Sequence, residues 1–135
     1  MDADAVIAAL DLTDHPEGGY YRETWADSAG SAIYFLLRDG ETSAWHRVHQ
    51  RVEIWHFYAG ASLDLSIRGQ GRGQTTRTVR LGCDLSNAEQ PQAIVPAGAW
   101  QCAQSLGAWS LVGCTVAPPF DFGAFELAPD NRLPG

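Results

Sequence analysis

Polar and apolar positions alternate most cleanly from Ala61 to Arg68, where Leu63, Leu65 and Ile67 share one parity and Asp64, Ser66 and Arg68 the other. A period of two predicts a strand with one buried face. Ser31 to Arg38 contains the longest apolar run, Ala32 to Leu37, and predicts a strand covered on both sides. From Tyr20 to Trp25 the pattern puts Tyr21, Glu23 and Trp25 on one face of a strand and Tyr20, Arg22 and Thr24 on the other. It leaves open whether Arg22 or Glu23 points inward. The stretch from Gly40 to Gly60 predicts two strands joined by a bend between Val48 and Val52. On the first, His46 shares a face with Val48; on the second, Glu53 shares a face with Trp55 and Phe57. Further strands are expected at Thr75 to Leu81, Ala93 to Val95, Trp100 to Gln104 and Ala108 to Val116. Helical spacing is confined to the start, where Val6, Ile7 and Leu10 fall on one side, with Asp2 or Asp4 as the cap and an end before Thr13.

Turn chemistry separates these runs. His15-Pro-Glu-Gly-Gly19 and Pro96-Ala-Gly98 supply backbone angles that neither helices nor central strands accept, and Pro118-Pro119 stops the last strand. Asp27 to Gly30 and Asp84 to Gln90 are loops. Gly69 to Gln74 carries three alternating glycines, but no helix start and no Lys-Ser/Thr ending follow, so a hairpin turn is favoured over a phosphate cradle. Short strands about every ten residues, joined by Gly/Pro turns, predict an all-β sandwich or barrel.

A chain of 135 residues suits one domain. The net charge of −7, from 16 acidic and 9 basic residues, opposes binding to nucleic acid. The longest apolar run falls far short of the ~20 residues that span a bilayer. No basic region followed by an apolar core opens the chain, so a cytoplasmic protein without membrane association is expected. Cys83, Cys102 and Cys114 lack paired metal or redox spacing and suit small buried thiols in a reducing compartment.

Candidate chemistry centres on His46 and Glu53. If both inward faces meet inside a closed β structure, an imidazole and a carboxylate converge in one hollow. Gly40, His46, Glu53 and Gly60 carry the spacing of the first cupin signature, with Val48 at its second histidine. Pro96, Gly98 and Gln101 follow the second signature, with Gln101 at its histidine. Four blocks, His15 to Thr24, Glu53 to Gly60, Val95 to Gln101 and Val112 to Phe122, resemble the small stand-alone cupins called DUF985 or cupin_5, of RmlC-like type. The resemblance implies a double-stranded β-helix (jelly-roll) barrel at residues 13–128, preceded by the helix and lead-in at 1–12 and followed by a tail at 129–135. It also implies a homodimer with an internal pocket.

Val48 and Gln101 are feeble or non-existent metal ligands, so the expectation is no tightly held metal, with His46, Glu53 and Gln101 able at most to hold a divalent ion weakly. The pocket is expected to take a polar or cyclic metabolite. His46 would move a proton, Glu53 would orient it, Arg22 or Gln101 would hold an anionic or carbonyl oxygen, and Trp55 and Phe57 would form an aromatic wall. Gly19, Tyr21 and Glu23, with His46, have rough counterparts in sugar-nucleotide epimerases of the superfamily, which adds Glu23 to the ligand-binding candidates. The alternatives are a structural ion pair of Glu53 with Arg22 or Arg47, a non-catalytic binding or sensor module, and a metal-dependent cupin enzyme. His49 is expected to face solvent, and His56 to point away from the pocket, into a subunit contact.

Overall fold

The chain opens with helix α1 (Ala3–Leu10), whose first turn is capped where Ala5 N donates to Asp2 Oδ1 at 2.9 Å. Residues 1–69 and 73–133 are described by the computed structural model. Strands β1 (Thr13–Asp14), β2 (Tyr20–Asp27), β3 (Gly30–Arg38), β4 (Thr42–Val48), β5 (Val52–Gly60), β6 (Leu63–Arg68), β7 (Thr76–Leu81), β8 (Gln92–Val95), β9 (Trp100–Ser105), β10 (Trp109–Ala117) and β11 (Phe125–Leu127) follow. Among the described residues they pair antiparallel into two sheets, in the orders β1-β2-β3-β10-β5-β8 and β11-β4-β9-β6-β7. The architecture is the expected all-β jelly roll with one short helix.

Leu63, Leu65 and Ile67 of β6 meet Phe35 and Leu37 of β3, Trp55 of β5 and Val112 of β10 between the sheets, all nearly inaccessible to solvent. The double burial expected for β3 has a simple source. Phe35 and Leu37 face the other sheet, while Leu36 lies on the outer face under Val6 and Leu12 from the helical segment. The turn expected at Gly69 to Gln74 includes residues 70–72, which lie outside the described residues. Among the described residues, no helix is long and apolar enough to cross a membrane.

Three local expectations are corrected. Register slips between Glu23 and Trp25, so two residues of β2 oppose one of β3, and Trp25 emerges 44% exposed among Val52 and Ile54 on the outer face. A bulge reverses parity, which separates Trp25 from Tyr21 and Glu23. Cys83 is exposed, Cys102 half-buried and Cys114 buried, so the thiols do not form one buried class. The strand expected at Ala108 to Val116 is not the last one, because residues 118–128 carry another. They include β11, which pairs Phe125 with Val48, Glu126 with Arg47 and Leu127 with His46. Three residues are too few to display a period, which is why the pattern is silent there.

The turn between β1 and β2 is tightly held. His15 N donates to Gly19 O at 2.9 Å, Gly18 N to His15 O at 3.0 Å, and Ala44 N of β4 to Glu17 O at 2.7 Å. Gly19 has φ +80°, and a Cβ there would lie 2.8 Å from Leu36 O and 2.9 Å from the Phe35 ring. Gly19→Ala is therefore expected to lower stability by roughly 1–3 kcal/mol, read as a lower urea midpoint at an unchanged slope.

Candidate functional site

A cavity of about 240 Å³ lies between the sheets at the end closed by β11. Its floor is made by buried Glu17, His46, Glu53 and Cys114, and exposed Glu23 and Phe122 stand at its mouth. The β4-to-β5 bend delivers His46 and Glu53 from different sheets, which is how residues seven positions apart come to face each other across the hollow.

His46 is clamped at both nitrogens. Nδ1 donates to Ala44 O at 2.7 Å, and Nε2 stands 2.6 Å from Glu17 Oε2. Burial disfavours the imidazolium, but the charge and hydrogen bond of Glu17, the nearby Glu53 and the Ala44 carbonyl outweigh it and raise the pKa to about 9. His46 is thus a cation at neutral pH, with both N–H groups committed. His15 differs. Its Nδ1 accepts from Glu17 N at 3.1 Å, and its ring packs edge-on to Tyr21 at 4.5 Å and Phe35 at 5.7 Å. Burial lowers its pKa; Glu17 pulls the other way and cationic His46 reinforces the drop, so it is neutral.

Glu53 hangs on a chain of neutral donors. Trp55 Nε1 donates to Gln101 Oε1 at 2.8 Å, and Gln101 Nε2 donates to Glu53 Oε1 at 2.6 Å. Because the indole can only donate, the amide orientation of Gln101 is set by Trp55. Burial pushes Glu53 upward; His46 opposes, Glu17 adds to the rise, and hydrogen bonds from Gln101 and Cys114 hold it back, leaving a pKa of about 7. Burial, with both carboxylates near it, lifts the Cys114 thiol well above its usual range, so it remains a neutral thiol.

The Cupin_5 family, described as "Cupin superfamily (DUF985)", matches residues 4–128. The chain belongs to that family. A crystal structure of a Shewanella oneidensis protein is 39% identical, with 95% of this chain and 85% of that one covered and a TM-score of 0.87. A hypothetical protein from Leishmania major is 30% identical over 95% of this chain and 88% of its own, also at 0.87. A dTDP sugar isomerase from Desulfovibrio desulfuricans shares the fold at 16% identity, covering 87% and 79% of the two chains at a TM-score of 0.65. No curated protein matches by sequence.

In this cupin the residues singled out from sequence separate into groups. His46, Glu53 and Glu23 line the cavity. Gln101 lies behind Glu53 as its donor, and Trp55 behind Gln101. Phe57 packs against the core, and Arg22 lies 5.5 Å over the Tyr34 ring; neither lines the cavity. The alternative pairing of Glu53 with Arg22 or Arg47 does not form, since Arg47 Nε donates to Glu126 Oε1 at 3.0 Å and its guanidinium stacks 4.6 Å over Trp100. His49 is also bound to Glu126 Oε1, at 2.8 Å, and His56 reaches Thr115 Oγ1 at 3.1 Å.

Sequence reasoning missed Glu17, His15, Cys114, Phe120, Phe122 and Phe125 as cavity residues, while Tyr21, named there only through the epimerase likeness, also lines it. Glu17 sat in the first family-like block, but between Pro16 and Gly18 it looked like a turn residue; its acid group in a segment built to be immobile was the available signal. His46 spends Nε2 on Glu17, Gln101 holds Glu53, and no group of three or more His, Cys, Asp or Glu among the described residues is arranged to hold a metal ion.

Two measurements follow. By ¹⁵N NMR, His46 is expected to titrate near pH 9 in the native protein and far lower in Glu17→Gln, because burial then acts without its main opponent. Stability should also fall with rising pH. Glu53 has a native pKa of about 7 against 4.5, so it favours the fold below 4.5 and loses that contribution as pH rises through 7. His46, at about 9 against 6.5, favours the fold below 6.5 and loses its contribution through 9. Melting temperature is expected to drop between pH 5 and 8, and Glu53→Gln to flatten that portion of the curve.

Proposed function

We propose that this cupin binds a small polar or cyclic metabolite in the cavity and shuttles a proton on it by acid–base chemistry of isomerase type. Glu53 is the group that exchanges the proton. The observation that carries this reading is the Glu53 carboxyl group, buried on the cavity floor and held by neutral Gln101, an environment that raises its pKa to about 7 so that it can accept and return a proton at neutral pH. His46 has the other role. Both of its N–H groups are engaged, by Ala44 O and Glu17, so it supplies a fixed positive charge beside Glu53. This exchanges the parts that the sequence suggested for the two residues. A proton leaves a C–H adjacent to a carbonyl, resides on Glu53, and returns to the same or a neighbouring atom; no electron acceptor is needed. The fold shared with a dTDP sugar isomerase supports isomerase chemistry only as an analogy of scaffold.

The test is solvent exchange. Purified protein is incubated with a pool of small metabolites in D₂O, and deuterium incorporated into carbon is followed by mass spectrometry. The wild type is expected to label at least one compound, at a rate that rises through pH 7, and Glu53→Gln to label it roughly 10²–10⁴-fold more slowly. A compound that is retained but never labelled, by either protein, would instead identify a binding module.

A further inference from the structure

The ionisable groups around the cavity are unbalanced. Glu17, Glu23 and Glu53 contribute carboxyl groups, His46 contributes one imidazolium, and no lysine or arginine lines it among the described residues. Glu17 and His46 offset one another at 2.6 Å. Among the described residues Glu53 has neutral Gln101 and Cys114 as its hydrogen-bond partners, and Glu23 stands exposed at the mouth. The nearby guanidinium groups are committed elsewhere. Arg22 lies over Tyr34, Arg47 is held by Glu126, and Arg51 donates to the carbonyls of Pro119 and His49. An entering phosphate or carboxylate would meet like charge, and the one lining cation among the described residues, His46, is already paired with Glu17.

Aromatic rings make up much of the remaining lining, and Phe125 lies 5.5 Å from the His46 ring. The rings of Phe120 and Phe122 are 4.8 Å apart, those of Phe120 and Phe125 5.8 Å, and those of Phe122 and Phe125 6.1 Å, and Tyr21 also lines the cavity. Ring faces carry negative potential and attract cations. Glu17 itself is only 7% exposed, and its Oε2, paired with His46 Nε2 at 2.6 Å, is a carboxylate oxygen that can accept a second hydrogen bond. A buried acceptor oxygen on the cavity floor therefore has capacity for a donor brought by a ligand.

We infer that the ligand is a small organic cation, an ammonium group on a ring, with the ammonium directed to the floor carboxylates and the ring against Phe120, Phe122 and Phe125. Glu23 at the mouth draws the charge inward. The inference rests on the cavity being a ligand site, as proposed above, and narrows the class of ligand it takes. A bound cation also favours the ionised form of Glu53, the form that accepts a proton.

Three rings of matched size separate the possibilities: cyclohexylammonium, cyclohexanol and cyclohexanecarboxylate, titrated calorimetrically at pH 8 and low salt, with the Phe125 ring signals followed by NMR to locate binding. The ammonium compound is expected to bind about tenfold more tightly than the alcohol, and the carboxylate more weakly than either. Glu23→Gln should narrow the ammonium-to-alcohol ratio. If the alcohol or carboxylate perturbs Phe125 and binds as tightly as the ammonium, or if Glu23→Gln leaves the ratio unchanged, the cation assignment is wrong while the pocket reading stands. Failure of all three to perturb Phe125 would overturn both.

Discussion

A carboxylate and an imidazolium buried together, Glu17 and His46 at 2.6 Å, set the terms for the rest of the site. Removing two charges from water costs several kcal/mol per ion, and mutual attraction returns that only in good geometry. Here the geometry is supplied by backbone. The His15-to-Gly19 turn is pinned to β4 through Ala44 N and Glu17 O, and the next carbonyl out, Ala44 O, holds the far side of the imidazole. Such a pair is weak evidence for stability. Its consequence lies in the field it leaves on the cavity floor, where the cation tempers the burial of Glu53 and the carboxylate adds to it.

The second constraint is the closure of the barrel end. Residues 118–128 return from β10, add β11 to the edge of the second sheet beside β4, and bring three phenylalanines into the cavity lining. Without them the floor would open to water, and the high effective dielectric would return Glu53 toward an ordinary carboxylic acid. An apolar lid and shifted acid–base groups are therefore one arrangement. Behind the floor, the Trp55, Gln101 and Glu53 relay ties the carboxyl orientation to the main core, since Trp55 packs 5.8 Å from Phe35.

Much of the fold was legible because strands with one buried face must alternate. β6 shows this at every position, and β3 declares its double burial as an unbroken apolar run, with Leu36 covered by Val6 and Leu12. His46 and Glu53 were legible through parity and the Gly-framed spacing between Gly40 and Gly60. Two kinds of feature escaped. The bulge after Glu23 leaves no mark in polarity, yet it reversed Trp25 and with it the expected face. The aromatic wall was assigned to Trp55 and Phe57 by parity with Glu53, whereas a strand pointing into a barrel fills the core with its deeper residues and leaves the wall to whichever segment crosses the opening.

By itself the sequence determined the layered all-β architecture, the single capped helix, the convergence of His46 with Glu53 and the poverty of strong metal donors at Val48 and Gln101. The first two follow from local periodicity and turn chemistry and the last from residue type, while the convergence was legible from face parity only with the cupin-like spacing beside it. Only the tertiary structure decided that Glu17 is the partner of His46, that Glu23 faces the cavity while Arg22 does not, and that the C-terminal phenylalanines roof it. Those outcomes depend on contacts between segments far apart in the chain or on a one-residue shift in register, and protonation follows from the distances and burial such contacts create.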